Sequence, residues 1–321
     1  MLSFSCFLVF VDLYKGIMSI LGQKKKKLEV NIIAREKSDY NDIYVMQKGS
    51  KRDMWFRKKN DFFLQSRIDT NQLDTLVLIY TQMLTSALLL QPVPSSILII
   101  GLGGCAMSNF LARLYPDAVL DVVEIDQKVI DISKQFFYFN ETENYKIHKE
   151  DGRRFIQKMS GKKQYDLIYL DAYKSGSIPF HLKTIQFYED LMQVLSSEGV
   201  VGSNLYGKSN LLKSSDWKTF SNKFNQIYCF EDHDSLATVL LASNRKEVLT
   251  KGEFIRAARE FPFLVPFSLT DVANMYSTGK FKNDNGDIFI DDFDQEEFDR
   301  RIEKNNRDDV KNPLYPIKNT G

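Results

Sequence analysis

Cysteine and histidine are scarce, three of each in 321 residues, and the scarcity removes several classes of function at once. Cys6, Cys105 and Cys229 are odd in number and far apart, so neither a disulfide framework nor a zinc-binding spacing exists, which suits a reducing interior. His148, His181 and His233 show no metal-ligand spacing, and no metal is expected. Charge of one sign is lacking too: the net charge is +1, without the basic excess that nucleic acid or an anionic lipid surface would attract. No apolar run reaches the roughly 20 residues that a membrane-spanning helix requires. Met1 to Val11 is almost wholly apolar, but Asp12 and Lys15 interrupt it. A signal peptide would carry its positive charge ahead of the apolar run, whereas Lys24 to Lys27 follow it here. This segment reads as sequence upstream of a true start at Met18, as a weak membrane anchor or as a docking segment. The first is favoured, because an ordinary soluble beginning follows Met18. The expected compartment is the cytoplasm.

What is present is the composition of a globular protein, 43% hydrophobic and 26% charged. Short β runs fill residues 28–65 (Leu28–Ile33, Asn41–Met46, Met54–Phe56, Phe62–Leu64), separated by turn-forming residues. They predict a small antiparallel β domain over 28–72, too small to stand alone. A helix is expected over Leu73–Leu90, stopped by Pro92 and Pro94. From there strands alternate with helices up to Phe224. Two final β runs, Gln226–Phe230 and Leu236–Ala242, predict a closing antiparallel hairpin. Such alternation implies an α/β class, with a mainly parallel, doubly wound sheet over 73–245. Residues 1–27 are set apart as an apolar and basic segment. Residues 246–321 read as a C-terminal extension, with partial disorder from Lys280 onward, where polar and charged residues dominate.

The chain is organised around Ile97–Asp126. Ile97-Leu98-Ile99-Ile100 ends in Gly101-Leu102-Gly103-Gly104 and opens onto a helix from Met107 to Leu114. Val122-Val123 then ends in Glu124-Ile125-Asp126. This is the strand–turn–helix–strand signature of a nucleotide-binding Rossmann unit. Gly101 and Gly103 permit a tight turn and a close approach of backbone to ligand. Glu124, at a strand's carboxyl end, can accept hydrogen bonds from two ribose hydroxyls, and Asp126 is counted with it among the cofactor-binding residues.

In open α/β sheets ligands sit beyond the carboxyl ends of the strands. Arriving there are the glycine turn, Glu124, Asp151-Gly152 and Asp171. Gly101, Gly103 and Ala106 also fit G-x-G-x-x-A, but a nicotinamide dinucleotide gives Asp151 and Asp171 no evident task. Three carboxylates suit an adenosine joined to a cationic group such as a sulfonium, a positive leaving group without phosphate.

These residues carry a family resemblance. Ile99–Gly104, Val123–Asp126, Asp151-Gly152-Arg153-Arg154-Phe155 and Tyr165–Asp171 resemble the spermidine/spermine synthases, the polyamine aminopropyltransferases. So do Pro179–Thr184 with Phe187-Tyr188, and Gln65-Ser66 with Tyr80–Leu84, so that the likeness runs in order from about Asn31 to Ser243. The resemblance implies a class I methyltransferase-type Rossmann fold and decarboxylated S-adenosylmethionine as aminopropyl donor, a co-substrate and not a permanent cofactor. Carried over, Gln65 and Tyr80 would touch the donor or a small-molecule amine acceptor, Glu124 would hold ribose, and Asp151 and Gly152 the adenine. Asp171 would be the catalytic carboxylate. Its task follows from chemistry alone: an amine with a solution pKa near 10 must lose a proton before it attacks the carbon next to sulfur.

The sequence also departs from the family. Where a second Asp usually binds the amine after the fourth strand, this chain has Lys174, in Asp171-Ala172-Tyr173-Lys174-Ser175-Gly176. Gln82 stands for a glutamate, and Cys105 for a glycine of the turn. These departures place the chain nearest a divergent, spermidine-synthase-like branch. Residues 172–179 read as a lid, with Lys174 directed outward because a long lysine usually reaches water; directed inward it would disfavour a polyamine. Glu231, Asp232 and Asp234 are candidate substitute carboxylates, against the plainer reading of a solvated turn. Two alternatives stay open, an S-adenosylmethionine-dependent methyltransferase and a nucleoside-binding partner subunit without catalysis. A homodimer is also open.

Overall fold

The expected β runs of the N-terminal region pair into one sheet because alternate residues on them are apolar and short turns join them. In the computed structural model, which describes residues 29–58, 60–173, 178–205, 213–235, 237–277, 286–292 and 300, four antiparallel strands lie in chain order: β1 (Asn31–Lys37), β2 (Asp42–Lys48), β3 (Lys51–Lys58) and β4 (Asp61–Asp69). One face of this sheet (Ile43, Val45, Met54, Phe56, Ile68) enters the main hydrophobic core. The β3–β4 register slips so that Trp55 faces Leu64 and Met54 faces Ser66. Gln65 is therefore the extra residue of a β-bulge, a device that re-aims a strand beside functional sites.

The second sheet has eight strands. In spatial order they are β7 (Tyr145–Lys149), β6 (Val119–Glu124), β5 (Ser96–Ile100), β8 (Tyr165–Leu170), β9 (Leu195–Asn204), β11 (Thr238–Ser243), β10 (Gln226–Glu231) and β12 (Tyr276–Ser277). The first five are parallel, and the last three add antiparallel. The strand order reverses at β5, whose neighbours are β6 and β8, so a crevice opens at the end of β5. Helices α2 (Ala106–Leu114), α3 (Gln127–Phe136), α4 (Gly152–Met159), α5 (Ile185–Met192) and α6 (Lys213–Lys223) connect the strands.

One expectation changes. The helix foreseen over Leu73–Leu90 begins only at Ile79 as α1 (Ile79–Leu84), and continues as a 3-10 turn over Thr85–Leu89. The Thr75 N–H donates to the Gln72 carbonyl at 3.1 Å and the Gln82 side-chain amide to the Leu76 carbonyl at 2.7 Å, so this backbone forms a turn and a side-chain contact in place of a first helical turn. Residues beyond 245 are part of the fold: α7 (Lys251–Arg259) and α8 (Leu269–Asn274) lead into β12. Phe254 of α7 is buried against Tyr228 and Phe230, with ring centroids 5.1 and 5.3 Å away.

Within the stretch beyond Lys280, residues 286–292 are described and pack on the fold. Phe289 is fully buried, and its backbone accepts from the Ile185 N–H at 2.8 Å and donates to Thr219 Oγ1 at 3.1 Å. An apolar Ile288-Phe289-Ile290 cluster inside a polar stretch supplies the anchor that average composition hides. The N-terminal segment and most of the last forty residues lie outside the described residues. Among the described residues no helix is long and apolar enough to cross a membrane.

Candidate active site

The glycine turn decides how closely its neighbours approach. Gly101 has φ 103° and Gly103 φ 50°, values that side-chain-bearing residues rarely adopt. A Cβ on Gly101 would lie 2.5 Å from the Asp171 carbonyl oxygen, so only glycine lets the end of β8 pass here. Cys105, at the family's glycine position, is left-handed as well, with φ 57°. It is fully buried, and burial pushes its thiol up to about 12. The β4 bulge reaches over the same turn, placing Ser66 Cβ 2.9 Å from where a Gly104 Cβ would be.

Glu124 ends β6 and turns toward this loop. Its carboxylate accepts from the Leu102 N–H at 3.1 Å and the Asp126 N–H at 2.9 Å. Burial raises its pKa, while these backbone donors oppose the shift. Both oxygens keep a lone pair for hydroxyl donors. Asp126 parts company with it. Its side chain is 2% exposed; Oδ1 caps α3 through the Lys128 N–H at 2.9 Å, and Oδ2 accepts from Ser38 at 2.5 Å and Asn41 at 3.1 Å. Asp126 thus ties the turn between β1 and β2 to the start of α3, with both carboxylate oxygens engaged by protein donors.

Asp151 caps α4, its Oδ1 accepting from the N–H groups of Arg153 and Arg154 at 3.1 Å each. Oδ2 lies 2.7 Å from His181 Nε2. The hydrogen bond from His181 does most to hold Asp151 below the usual carboxylate range, with burial opposing. Gly152 is required beside it, since a Cβ there would fall 2.5 Å from Ile100 Cγ2.

Asp171 ends β8 next to the turn, and its N–H donates to the Ile100 carbonyl at 2.9 Å. Oδ1 accepts from Asn204 Nδ2 at 3.1 Å, and Oδ2 stands 3.5 Å from the Tyr80 hydroxyl. Burial pushes the carboxyl up to about 7, against the two hydrogen bonds that lower it. A carboxylate so placed is a stronger proton acceptor than one in water. The single Tyr80 hydroxyl hydrogen is shared between Asp171 and the Gln65 carbonyl, which lies 3.3 Å away, while the Gln65 side-chain amide turns back to the Phe63 carbonyl at 3.1 Å. The bulge, Tyr80 and Asp171 therefore form one connected wall.

Asn204 and His181 were not singled out from sequence for these contacts. Asn204 ends β9 as Asp171 ends β8, so the strand-end rule was a signal for it. Nothing in the sequence placed His181 beside Asp151. Lys174 and the centre of its loop lie outside the described residues. Asp232 serves its own hairpin, accepting from the Ser235 N–H at 2.8 Å, in keeping with the solvated-turn reading.

Comparison with known proteins gives this geometry a context. A family model described as the spermine/spermidine synthase domain matches residues 77–242. The polyamine aminopropyltransferase of Vibrio vulnificus is 37% identical over 202 residues, covering 62% of this chain and 67% of that protein. A probable spermidine synthase from Corynebacterium glutamicum superposes with a TM-score of 0.65 at 18% identity, over 83% of this chain and 98% of that one. A spermidine synthase in complex with the transition state analogue AdoDATO gives a TM-score of 0.62 at 16% identity, over 79% of this chain and 88% of that one.

Proposed function

Since this chain belongs to the spermine/spermidine synthase family, we propose that it is a polyamine aminopropyltransferase taking its aminopropyl group from decarboxylated S-adenosylmethionine. The observation that carries the assignment to a site is Asp171, a buried carboxylate at the end of β8, bracketed by Tyr80 and Asn204 and pressed against the glycine turn. A small amine would lie with its nitrogen near Asp171. The amine lone pair forms a bond to the methylene carbon attached to sulfur, the carbon–sulfur bond breaks, and its electrons leave on sulfur as a neutral thioether nucleoside. The proton shed by the nitrogen passes to Asp171.

The other residues hold the donor. Glu124 suits the two ribose hydroxyls, because a carboxylate fixed by two backbone donors accepts more hydrogen bonds without moving. Asp151 suits the amino group of adenine, and the glycine turn lets backbone approach the nucleoside. Gln65 and Tyr80 line the end where donor and amine meet. Holding both reactants in one geometry supplies much of the rate. The buried thiols of Cys105 and Cys229 fit a reducing cytoplasm.

Methyl transfer from ordinary S-adenosylmethionine is not favoured, given the family. Calorimetry with both sulfonium donors, followed by product analysis over a panel of polyamines, tests the proposal. The expected result is binding of the decarboxylated donor and formation of the aminopropylated amine with 5′-methylthioadenosine. Methylated products from the ordinary donor, with no aminopropyl transfer, would overturn it.

A further inference from the structure

Asp151 is approached from outside its own helix. Phe180–Leu182 form a single 3-10 turn after β8, and this turn packs on the start of α4: Leu182 Cδ2 lies 3.6 Å from where a Gly152 Cβ would be. It delivers His181 Nε2 to Asp151 Oδ2 at 2.7 Å. A carboxylate only accepts, so Nε2 carries the hydrogen whether the imidazole is neutral or charged. With Oδ1 taken by the two backbone N–H groups of the helix cap, this bond fixes the rotation of the whole carboxylate.

The turn is held by contacts that need no ligand. Thr184 Oγ1 donates to Asp291 at 2.7 Å, and the Arg153 guanidinium grips both Asp291 and Asp190 at 2.8 Å. Arg153 follows Asp151 by two residues, and Thr184 follows His181 by three. Asp291, on the segment 286–292 anchored by the buried Phe289, thus bolts the histidine turn to the aspartate helix. His181 itself keeps a 47% exposed side chain, so it stands at the edge of the crevice and is not core packing.

Resting on the function proposed above, we propose that His181 is a positioning residue for the donor's nucleobase, fixing Asp151 as an ionised, acceptor-only group that selects adenine over a 6-oxo purine. An exocyclic amine donates to such a carboxylate. A 6-oxo oxygen meets it acceptor to acceptor, and a polar contact left unpaired in this way is penalised. Without His181 the carboxyl is free to rotate or to take up a proton and donate to an oxo group, and both changes relax the selection.

The test compares binding of 5′-methylthioadenosine and 5′-methylthioinosine by calorimetry in the wild type, His181→Leu and His181→Gln, with thermal melting as a check on folding. The wild type is expected to prefer the adenine nucleoside. His181→Leu should shrink that preference by about tenfold. His181→Gln, which keeps an N–H donor at similar reach, should restore most of it; a merely structural role would not track donor capacity in this way. An unchanged preference in folded His181→Leu overturns the inference and leaves the proposed function standing. A wild type that binds neither nucleoside overturns both.

Discussion

The side-chain amide of Asn204 donates to Oδ1 of Asp171 across 3.1 Å, joining the ends of two adjacent parallel strands at the carboxylate proposed to take the amine's proton. Asn204 is 2% exposed, so the bond operates away from bulk water, where a charge-assisted hydrogen bond is strongest. It stabilises the ionised form of Asp171 against the burial that raises its pKa.

Asn204→Ala should therefore displace the acid limb of the rate profile toward higher pH by about one to two units, the worth of one such bond. Turnover well above that limb should stay near the wild-type value. A pH profile of kcat/KM for both proteins measures the displacement, and coincident acid limbs would show that Asn204 does not tune Asp171.

The wild-type profile has a predicted sign. Asp171 must be ionised to accept a proton, and burial lifts it to about 7. Activity should rise with pH through that value, because below it the carboxyl is already protonated. Asp171→Asn should abolish this limb and lower turnover by roughly 10²-fold or more, with donor affinity by calorimetry little changed. Retention of most of the activity would remove Asp171 from the chemistry.

Glu124→Ala should weaken donor binding and leave the fold intact. Each hydroxyl bond to a charged acceptor is worth roughly 1.5–3 kcal/mol, so a loss of at least tenfold in affinity is expected. Calorimetry together with a melting curve separates binding from folding; unaltered affinity in a folded variant would exclude Glu124 from the donor site.

Gly101→Ala probes the turn. The left-handed φ of 103° and the 2.5 Å approach to the Asp171 carbonyl leave no room for a methyl group without moving β8. A destabilisation of about 1–3 kcal/mol is expected for the strained backbone, together with loss of turnover. A variant with wild-type melting and kinetics would mean that the turn is looser than this geometry.

Phe289→Ala addresses the C-terminal anchor. Removing a fully buried phenylalanine costs about 3–5 kcal/mol, so the melting temperature should fall by several degrees even though the residue lies outside the strand-end motifs of the sequence. An unshifted melting temperature would mean that residues 286–292 contribute no stability.

Much of this protein was legible in its sequence, because strand-end chemistry is local. Ile97–Ile100 followed by glycines, and apolar runs ending in Glu124 and Asp171, define strand, turn and carboxylate within a few residues of one another. The parallel order of the sheet follows from alternation alone, since a helix between two strands brings them parallel. The family resemblance rests on the same short motifs.

What only tertiary structure decided is which side chains meet across elements far apart in the chain. Asp126 and Glu124 look equivalent in sequence, yet Ser38 and Asn41, more than eighty residues away, take up the Asp126 carboxylate and leave Glu124 at the crevice. His181 reaches Asp151 because a turn after β8 packs on the start of α4. Phe289 is buried because α5 and α6 leave a place for it, although its polar surroundings in sequence suggested none. Local patterns report propensity and periodicity, which a chain expresses over a turn or a strand. A carboxylate's partner is chosen by packing over the whole fold, and no local window contains that information.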